Sequence, residues 1–411
     1  MVQGKLITTI LLLAILTFTI ILPEKLIGRN LYYLFSVMIF VFSLVKIKQI
    51  NFQLEEVILS TSIFLVGVSQ YIWAYRFPGD STELYRADFN YPKTGAYLMI
   101  GSIVILCFPS LIRLASVNYK KHIAYALLTS FSFLTAYAIY CKLSMPIERL
   151  EIKTSSTLSA AIYTMHSLLT LYSLLNTRIK YRRLMILCVV SFSIYILILT
   201  ETRSALIVYP LILVYLIFSK STLSKRKSLA IFLAFIFLSL MVIKLLHPNL
   251  NKRGVEMIDE VTHYHENNNT SVGARLSMWN AGIHEIITHP GGVSSKERFR
   301  ILSSFINKNE RGNPEAIRNI AYHLHNDLIE SMSLQGVISG VFMLYFYFSL
   351  FFYFHKKNTS YCAAVFLCTP IMFMGSLDSL FIHVRFVVML ICWLIIFNGI
   401  NELDLQNKKQ C

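Results

Sequence analysis

The stretch that decides the fold is residues 184–218, LMILCVVSFSIYILILTETRSALIVYPLILVYLIF. As one helix it would be about 52 Å long, whereas the hydrocarbon core of a bilayer is about 30 Å thick. It therefore predicts two membrane helices that turn near Glu201, with no room for a long loop. Arg203 then lies close to the membrane surface at a helix start, where free backbone N–H groups and the helix dipole favour an anion. Snorkelling to lipid headgroups and pairing with Glu201 are the structural alternatives.

The same apolar character runs along almost the whole chain. Its 411 residues are 55% hydrophobic and only 15% charged, whereas soluble globular chains carry about 25% charge. This excludes disorder and an ordinary soluble domain, and predicts an all-α polytopic membrane protein. We expect about twelve transmembrane helices, at residues 6–22, 31–45, 57–75, 95–114, 123–140, 157–175, 184–200, 204–218, 229–246, 334–354, 361–377 and 386–400.

The charge is distributed unevenly between the two sides that this topology predicts. One side, which holds both termini, carries 18 basic residues against four acidic ones, and the other carries 20 against 18. By the positive-inside rule the first side is cytoplasmic. The net charge of +16 is therefore a topology signal, and we expect no nucleic-acid partner.

One connection is far longer than the others. Residues 247–330, here called the large loop, interrupt the helices on the outer side with mixed polarity and seven histidines. A loop of this length is usually functional. The sequence thus divides into transmembrane residues 1–246 with helices 1–9, the large loop with short helices, and residues 331–411 with helices 10–12 and a cytoplasmic tail.

Motifs for soluble cofactors are missing from the sequence. It contains no GxxxxGK[ST] phosphate loop, GxGxxG, HExxH or EF-hand pattern, and no DxD pair. The seven cysteines form no CxxC knuckle or disulfide framework. His263 and His265 lack the Cys or carboxylate neighbours of a metal site. We therefore expect neither a cofactor nor a metal.

Three short polar motifs lie at the predicted outer face. Arg203 belongs to TETRSAL (200–206), and Arg275 to GARL (273–276) at the start of a helical stretch of the large loop. HLHN (323–326) comes immediately before the tenth span, where a histidine is placed to act as a general base on a hydroxyl. The motif alone offers both His323 and His325 for this role.

Other polar residues fall inside or beside apolar spans, which makes them site candidates by default. These are His166, Asp378, His383 and Arg385, with mutual pairing of Asp378 and Arg385 as the structural alternative. Gly336 and Gly340 form a GxxxG pattern, to which we assign close helix packing.

Together, TETRSAL, GARL and HLHN followed by Gly336 resemble the bacterial O-antigen ligases of the O-antigen ligase and polymerase superfamily. The resemblance extends to the twelve-span layout with one large loop before the tenth span. It implies a GT-C-like inverting membrane glycosyltransferase, independent of metal and ATP. Its donor is O-antigen polysaccharide on undecaprenyl diphosphate and its acceptor a sugar hydroxyl of the lipid A-core.

The resemblance also assigns roles to residues. Arg203 and Arg275 bind the donor diphosphate and stabilise the charge that grows on it, His325 is the general base, and His323 and Asn326 support the site. It implies a Gram-negative inner membrane, cytoplasmic termini and an active site facing the periplasm, with membrane lipids and other O-antigen assembly proteins as further partners.

Two other functions stay open from the sequence. An O-antigen polymerase or an O-linking oligosaccharyltransferase would use the same donor with a different acceptor. A transporter of lipid-linked glycans would need no general base, and transporters commonly contain two related halves. We find no such repeat in the sequence.

Overall fold

The computed structural model describes residues 2–78, 85, 87–115, 120–144, 148–220, 260, 262–264, 267–357 and 361–409. Within these residues every regular element is helical, including one 3₁₀ turn at Ile47–Gln49. The α-helices are α1 (Val2–Ile20), α2 (Lys25–Val45), α3 (Leu54–Arg76), α4 (Tyr91–Leu114), α5 (Lys120–Ser144), α6 (Ser156–Leu175), α7 (Arg182–Thr200), α8 (Arg203–Lys220), α9 (Ser271–Thr288), α10 (Ser295–Asn309), α11 (Pro314–Ile320), α12 (Asp327–Gln335), α13 (Val337–Lys357), α14 (Tyr361–Gly375) and α15 (Val384–Lys409).

Nine of the helices in the described ranges are long and apolar enough to cross a membrane, namely α1 to α7, α13 and α15. The described part of α8 contributes a shorter apolar segment, and α14 has 15 residues. Helices are thus found at eleven of the twelve predicted spans, and the predicted span 229–246 lies outside the described residues. The prediction of an all-helical polytopic membrane protein is confirmed.

Two helices form the interior of the bundle. In α6 and α15, 94% of the residues in the membrane-spanning window are buried. The α15 sequence is apolar on all sides, as in LICWLIIF, and a helix of this kind belongs in a core rather than at a surface. Helix α6 also buries polar residues, such as Ser159, His166 and Ser167. Helix α15 packs on α1, α4, α5 and α6. By contrast, α2 buries mainly one stripe of residues, spaced three or four apart, and exposes the rest.

The predicted turn near Glu201 is confirmed. Helix α7 ends at Thr200, Glu201 takes the left-handed conformation with φ +50°, and α8 begins at Arg203. The short connection leaves Arg203 in the first turn of α8, as the apolar run required.

The packing role assigned to the GxxxG pattern is wrong for Gly336. This residue ends α12 with φ +90°, a conformation that L side chains rarely adopt, and its Cβ position lies 2.9 Å from the backbone of Gly291. Gly336 therefore supports a turn between α12 and α13. Gly340 does make a close approach, to Met332 of α12.

The described part of the large loop has a small hydrophobic core of its own. Helices α9, α10, α11 and α12 pack on one another. Their buried apolar residues include Met278 of α9, Leu302 of α10, Ile320 of α11 and Leu324 of the following turn. Helix α12 then packs on α13 and α3. This packing ties the histidine motif, which lies between α11 and α12, to both the loop and the bundle.

Candidate active site

The centre of the site is a cavity of about 540 Å³ between the start of α8, the start of α9 and the turn before α15. Its volume is in the usual range for pockets that hold small molecules. Arg149, Arg203 and Arg275 line it, together with the carboxylates of Glu201 and Asp378. Trp279, Leu276, Ile207 and Leu377 supply apolar walls. The cavity thus combines cations and apolar surface at one end of the helices.

Two of the predicted arginines therefore face the same space, although they are separated by 72 positions in the chain. Arg203 contacts Glu260 through Nη2 at 3.4 Å, while its buried Nη1 has no hydrogen-bond partner in the described part of the chain. Arg203 does not form the ion pair with Glu201 that was the structural alternative. Within the described ranges, Arg275 makes no hydrogen bond or ion pair.

The charge of Arg275 is poorly compensated. Burial lowers the pKa of Arg275, and the positive charge of Arg203 lowers it further, while Asp378 and Glu260 act in the opposite direction. Two guanidinium groups that disfavour each other in a largely buried space favour a ligand with negative charge. The cavity is therefore suited to an anion.

The local sequence explains why Arg275 lies in the first turns of α9. Thr270 caps α9 by accepting a hydrogen bond from the N–H of Gly273 at 3.0 Å. A Cβ at Gly273 would lie 2.3 Å from the carbonyl oxygen of Asn268, so only glycine lets the preceding segment pass so close. The glycine of GARL thus sets the first turn of α9, and Arg275 follows two residues later.

His325 is held by Asp378 in the turn that leads into α15. The Nδ1 of His325 lies 3.1 Å from Asp378 Oδ1, and the same oxygen accepts a hydrogen bond from the N–H of Ser379 at 2.9 Å. Because a carboxylate only accepts, His325 donates from Nδ1, and its Nε2 carries the free lone pair when the ring is neutral. Asp378 pairs with His325 and not with Arg385, so the alternative of a mutual Asp378–Arg385 pair is wrong.

His323 has a different environment. Its Nδ1 accepts the backbone N–H of His325 at 3.1 Å, and its Nε2 lies 3.9 Å from Asp378 Oδ1. The backbone of His325 adopts φ +52°, which is rare for residues other than glycine. This bend brings the two rings to a centroid distance of 4.0 Å.

The three histidines of this cluster differ in their burial, and burial lowers the pKa of two of them. It lowers the pKa of His323, which is 7% exposed, well below its usual value, and it lowers that of His383 to about 4. Burial alone would raise the pKa of Asp378, but the hydrogen bond from His325 holds it well below its usual range. A neutral His323 and His383 therefore surround an ionised Asp378. With a 20% exposed side chain, His325 is the more accessible of the two rings in HLHN.

The residues after His325 fasten this motif to the turn that carries Asp378. Asn326 caps α12 and donates from Nδ2 to the carbonyl of Ser376 at 3.0 Å. Its backbone N–H donates to the Ser379 hydroxyl at 3.2 Å. Asp327 Oδ1 accepts the N–H of Phe381 at 3.0 Å. The general-base candidate and its carboxylate are thus held together by three hydrogen bonds in addition to their own.

A second set of contacts holds the backbone between the two histidines. Glu330 accepts the N–H of Leu324 through Oε2 at 2.7 Å, and its Oε1 binds Arg298 at 2.8 Å and the hydroxyl of Tyr91 at 2.6 Å. All of these side chains are buried. The indole N–H of Trp279 donates to the Leu324 carbonyl at 2.9 Å. Side chains from α4, α9, α10 and α12 therefore hold the backbone of the histidine motif in place.

His323, His325 and Asp378 also have the spacing of metal ligands, since one ligand atom from each lies within 4.8 Å of the others. Hydrogen bonds already use His323 Nδ1, His325 Nδ1 and Asp378 Oδ1. Of the loop histidines first considered for a metal, His263 is exposed and His265 lies outside the described residues.

Sequence reasoning missed several residues of the site. Asp378 was a candidate with the wrong partner, and Glu260 and Glu330 gave no motif signal. Arg149 precedes the sixth span on the predicted outer side, so a search for arginines at that membrane edge would have found it. His166 does not join the site; it is buried inside α6 and hydrogen-bonds to Ser130 at 2.7 Å.

Fold and site together define a polytopic all-α membrane protein with an arginine-lined cavity beside a histidine–aspartate pair. The protein family described as O-Antigen ligase matches residues 186–344, which include Arg203, Arg275 and His325. The chain is also similar to the O-antigen ligase of Escherichia coli (strain K12), with 28% identity over 317 residues that cover 76% of this chain and 74% of the relative. These matches confirm the resemblance to the O-antigen ligases seen in the three motifs.

Proposed function

We propose that this protein transfers O-antigen polysaccharide from undecaprenyl diphosphate to a sugar hydroxyl of the lipid A-core. One observation carries the proposal. Arg203 and Arg275, which belong to two motifs far apart in the sequence, line one cavity together with Asp378, and Asp378 holds His325 of the third motif.

The two arginines bind the donor diphosphate. Guanidinium groups form paired hydrogen bonds with phosphate oxygens, and their charge has most effect where negative charge grows in the transition state. That charge develops on the diphosphate as the bond from the anomeric carbon to its oxygen breaks. The poorly compensated positive charge of Arg275, in a cavity of about 540 Å³ that Arg203 also lines, supports this assignment.

His325 acts as the general base. Its Nε2 takes the proton from the acceptor hydroxyl while the hydroxyl oxygen bonds to the anomeric carbon and undecaprenyl diphosphate leaves. Attack from the face opposite the leaving diphosphate gives inversion. Asp378 stabilises the imidazolium that forms and fixes its tautomer. His323 is the weaker candidate, because its Nδ1 accepts the backbone N–H of His325.

The reaction takes place at the periplasmic face of the inner membrane. The basic side of the helices then faces the cytoplasm with both termini, and the large loop faces the periplasm. Since diphosphate is a good leaving group, transfer needs neither ATP nor a metal.

The test is reconstitution of the full-length protein with undecaprenyl-diphosphate-linked polysaccharide and lipid A-core, in the presence of EDTA and without ATP. We expect a ladder of products attached to the core. The His325→Ala variant should form no ladder, while His289→Ala, an exposed histidine of the same loop, should remain active.

Other results would contradict the proposal. Longer chains that stay on undecaprenyl diphosphate would indicate a polymerase, and an unchanged donor would indicate a transporter. A ladder that disappears with EDTA would contradict a metal-independent reaction. Full activity of His325→Ala would refute the assignment of the base.

A further inference from the structure

Glu260 supplies a carboxylate that contacts two residues lining the arginine cavity. Its Oε1 lies 3.4 Å from Nη2 of Arg203, and its Oε2 accepts the backbone N–H of Val272 at 2.9 Å. Arg203 and Val272 both line the cavity. One internal anion therefore bridges the start of α8 and the start of α9.

The contacts of Glu260 are those expected of a phosphate group in the same place. A phosphate at Arg203 would accept hydrogen bonds from the guanidinium and from a free N–H in the first turn of a helix. Glu260 also raises the pKa of Arg275, as a bound anion would. Negative charge is thus already supplied to both arginines by the protein itself.

Neighbouring residues keep this carboxylate within reach. The hydroxyl of Tyr264 lies 3.2 Å from the hydroxyl of Ser277 on α9, and it also bonds to Glu310. Glu310 in turn accepts a hydrogen bond from Ser277 at 3.1 Å. Tyr264, four residues after Glu260 in the sequence, is therefore fastened to α9.

The contact itself is weak enough to be exchanged. At 3.4 Å the Arg203–Glu260 distance is long for a charged hydrogen bond, and the two side chains are 27% and 14% exposed. Ion pairs that are open to water contribute little to stability. A diphosphate, with more charge and more oxygen atoms, would replace the carboxylate at the guanidinium.

We propose that Glu260 is an internal stand-in for a donor phosphate group, which holds Arg203 and the Val272 amide in the empty site and leaves when diphosphate binds. The inference rests on the proposed role of Arg203 as a diphosphate ligand. It makes Glu260 a competitor of the donor, so removal of its charge strengthens donor binding. A residue that merely positioned Arg203 would have the opposite effect.

The experiment measures binding of inorganic pyrophosphate to the full-length protein in lipid nanodiscs by isothermal titration calorimetry. We expect Glu260→Gln and Glu260→Ala each to lower the Kd about fivefold, the size expected for loss of one partly exposed ion pair. Glu297→Gln is the matched control, because it removes one negative charge from an exposed pair on α10. It should leave the Kd unchanged.

The outcomes separate this inference from the proposed function. In one outcome, Arg203→Ala and Arg275→Ala weaken pyrophosphate binding, but the Glu260 variants bind pyrophosphate as the unmodified protein does, or more weakly. Glu260 is then no competitor, and the inference is overturned while the proposed diphosphate site stands. If Arg203→Ala and Arg275→Ala bind pyrophosphate normally, the proposed diphosphate site itself is wrong. Equal tightening in Glu297→Gln would show a general charge effect and would also overturn the inference.

Discussion

Replacement of Asp378 by asparagine tests the histidine–aspartate pair directly. The change removes one negative charge and keeps the size of the side chain, so the amide oxygen can still accept the N–H of Ser379. The lost interaction is a charged hydrogen bond to His325 Nδ1 at 3.1 Å, between side chains that are 20% and 10% exposed. Hydrogen bonds to charged groups contribute about 1.5–3 kcal/mol. If this stabilisation acts on the imidazolium formed during transfer, kcat should fall about 10- to 150-fold.

The assay is the initial rate of ladder formation in the reconstituted system, with the donor and acceptor concentrations varied separately. We expect kcat to fall while the KM for the donor stays within about twofold, because Arg203 and Arg275 are untouched. Asp88→Asn makes the same change at a buried aspartate that binds Ser295 outside the site. An unchanged kcat in Asp378→Asn, or a change in donor KM alone, would refute the reasoning.

Three further substitutions have expected outcomes. Arg203→Lys keeps the charge but loses the paired geometry of guanidinium, so the donor KM should rise at least about tenfold in the same assay, and a normal KM would show that charge alone suffices. Gly336→Ala adds a Cβ 2.9 Å from backbone at φ +90° and should destabilise the protein by about 1–3 kcal/mol in thermal unfolding, whereas Gly291→Ala, which meets nothing within 4 Å, should not. Burial raises the pKa of Glu285 to about 7; the folded protein then holds a proton that the unfolded chain releases near pH 4, so stability falls as the pH rises from about 4 to 7. Glu285→Gln should remove this dependence and raise the melting temperature at pH 8, and equal melting curves at pH 5 and pH 8 in the unmodified protein would contradict the assignment.

Much of the fold could be predicted because membrane helices obey a simple length rule. The run around Glu201 could not span a bilayer as one helix, and the structure turns there. The GxxxG pattern was less informative, because two glycines four residues apart serve either helix packing or a turn. Only the backbone conformation of Gly336 distinguishes the two.

The site was predictable in part, and for chemical reasons. Arg203 was found because the apolar run forces a charge close to the membrane surface at a helix start, whereas Arg275, an ordinary loop arginine when taken alone, was found through the resemblance of GARL to the family motif. The partner of His325 could not be found in this way, because His325 and Asp378 are 53 positions apart and are separated by three helices, α12, α13 and α14, that must first fold back. A local pattern suggested Arg385 for Asp378, yet the tertiary structure brings a histidine closer.

Helix α9 carries both Arg275 and, one turn later, Trp279, whose indole holds the Leu324 carbonyl next to His325. A ligand bound to Arg275 therefore acts on the same helix that holds the backbone next to His325, the proposed general base. The two substrates are then thermodynamically linked: whatever factor the donor gains in affinity from a bound acceptor, the acceptor must gain from a bound donor. Under the proposed function, an indole on one helix thus makes the effect of polysaccharide and core on each other's affinity a measurable property of the protein.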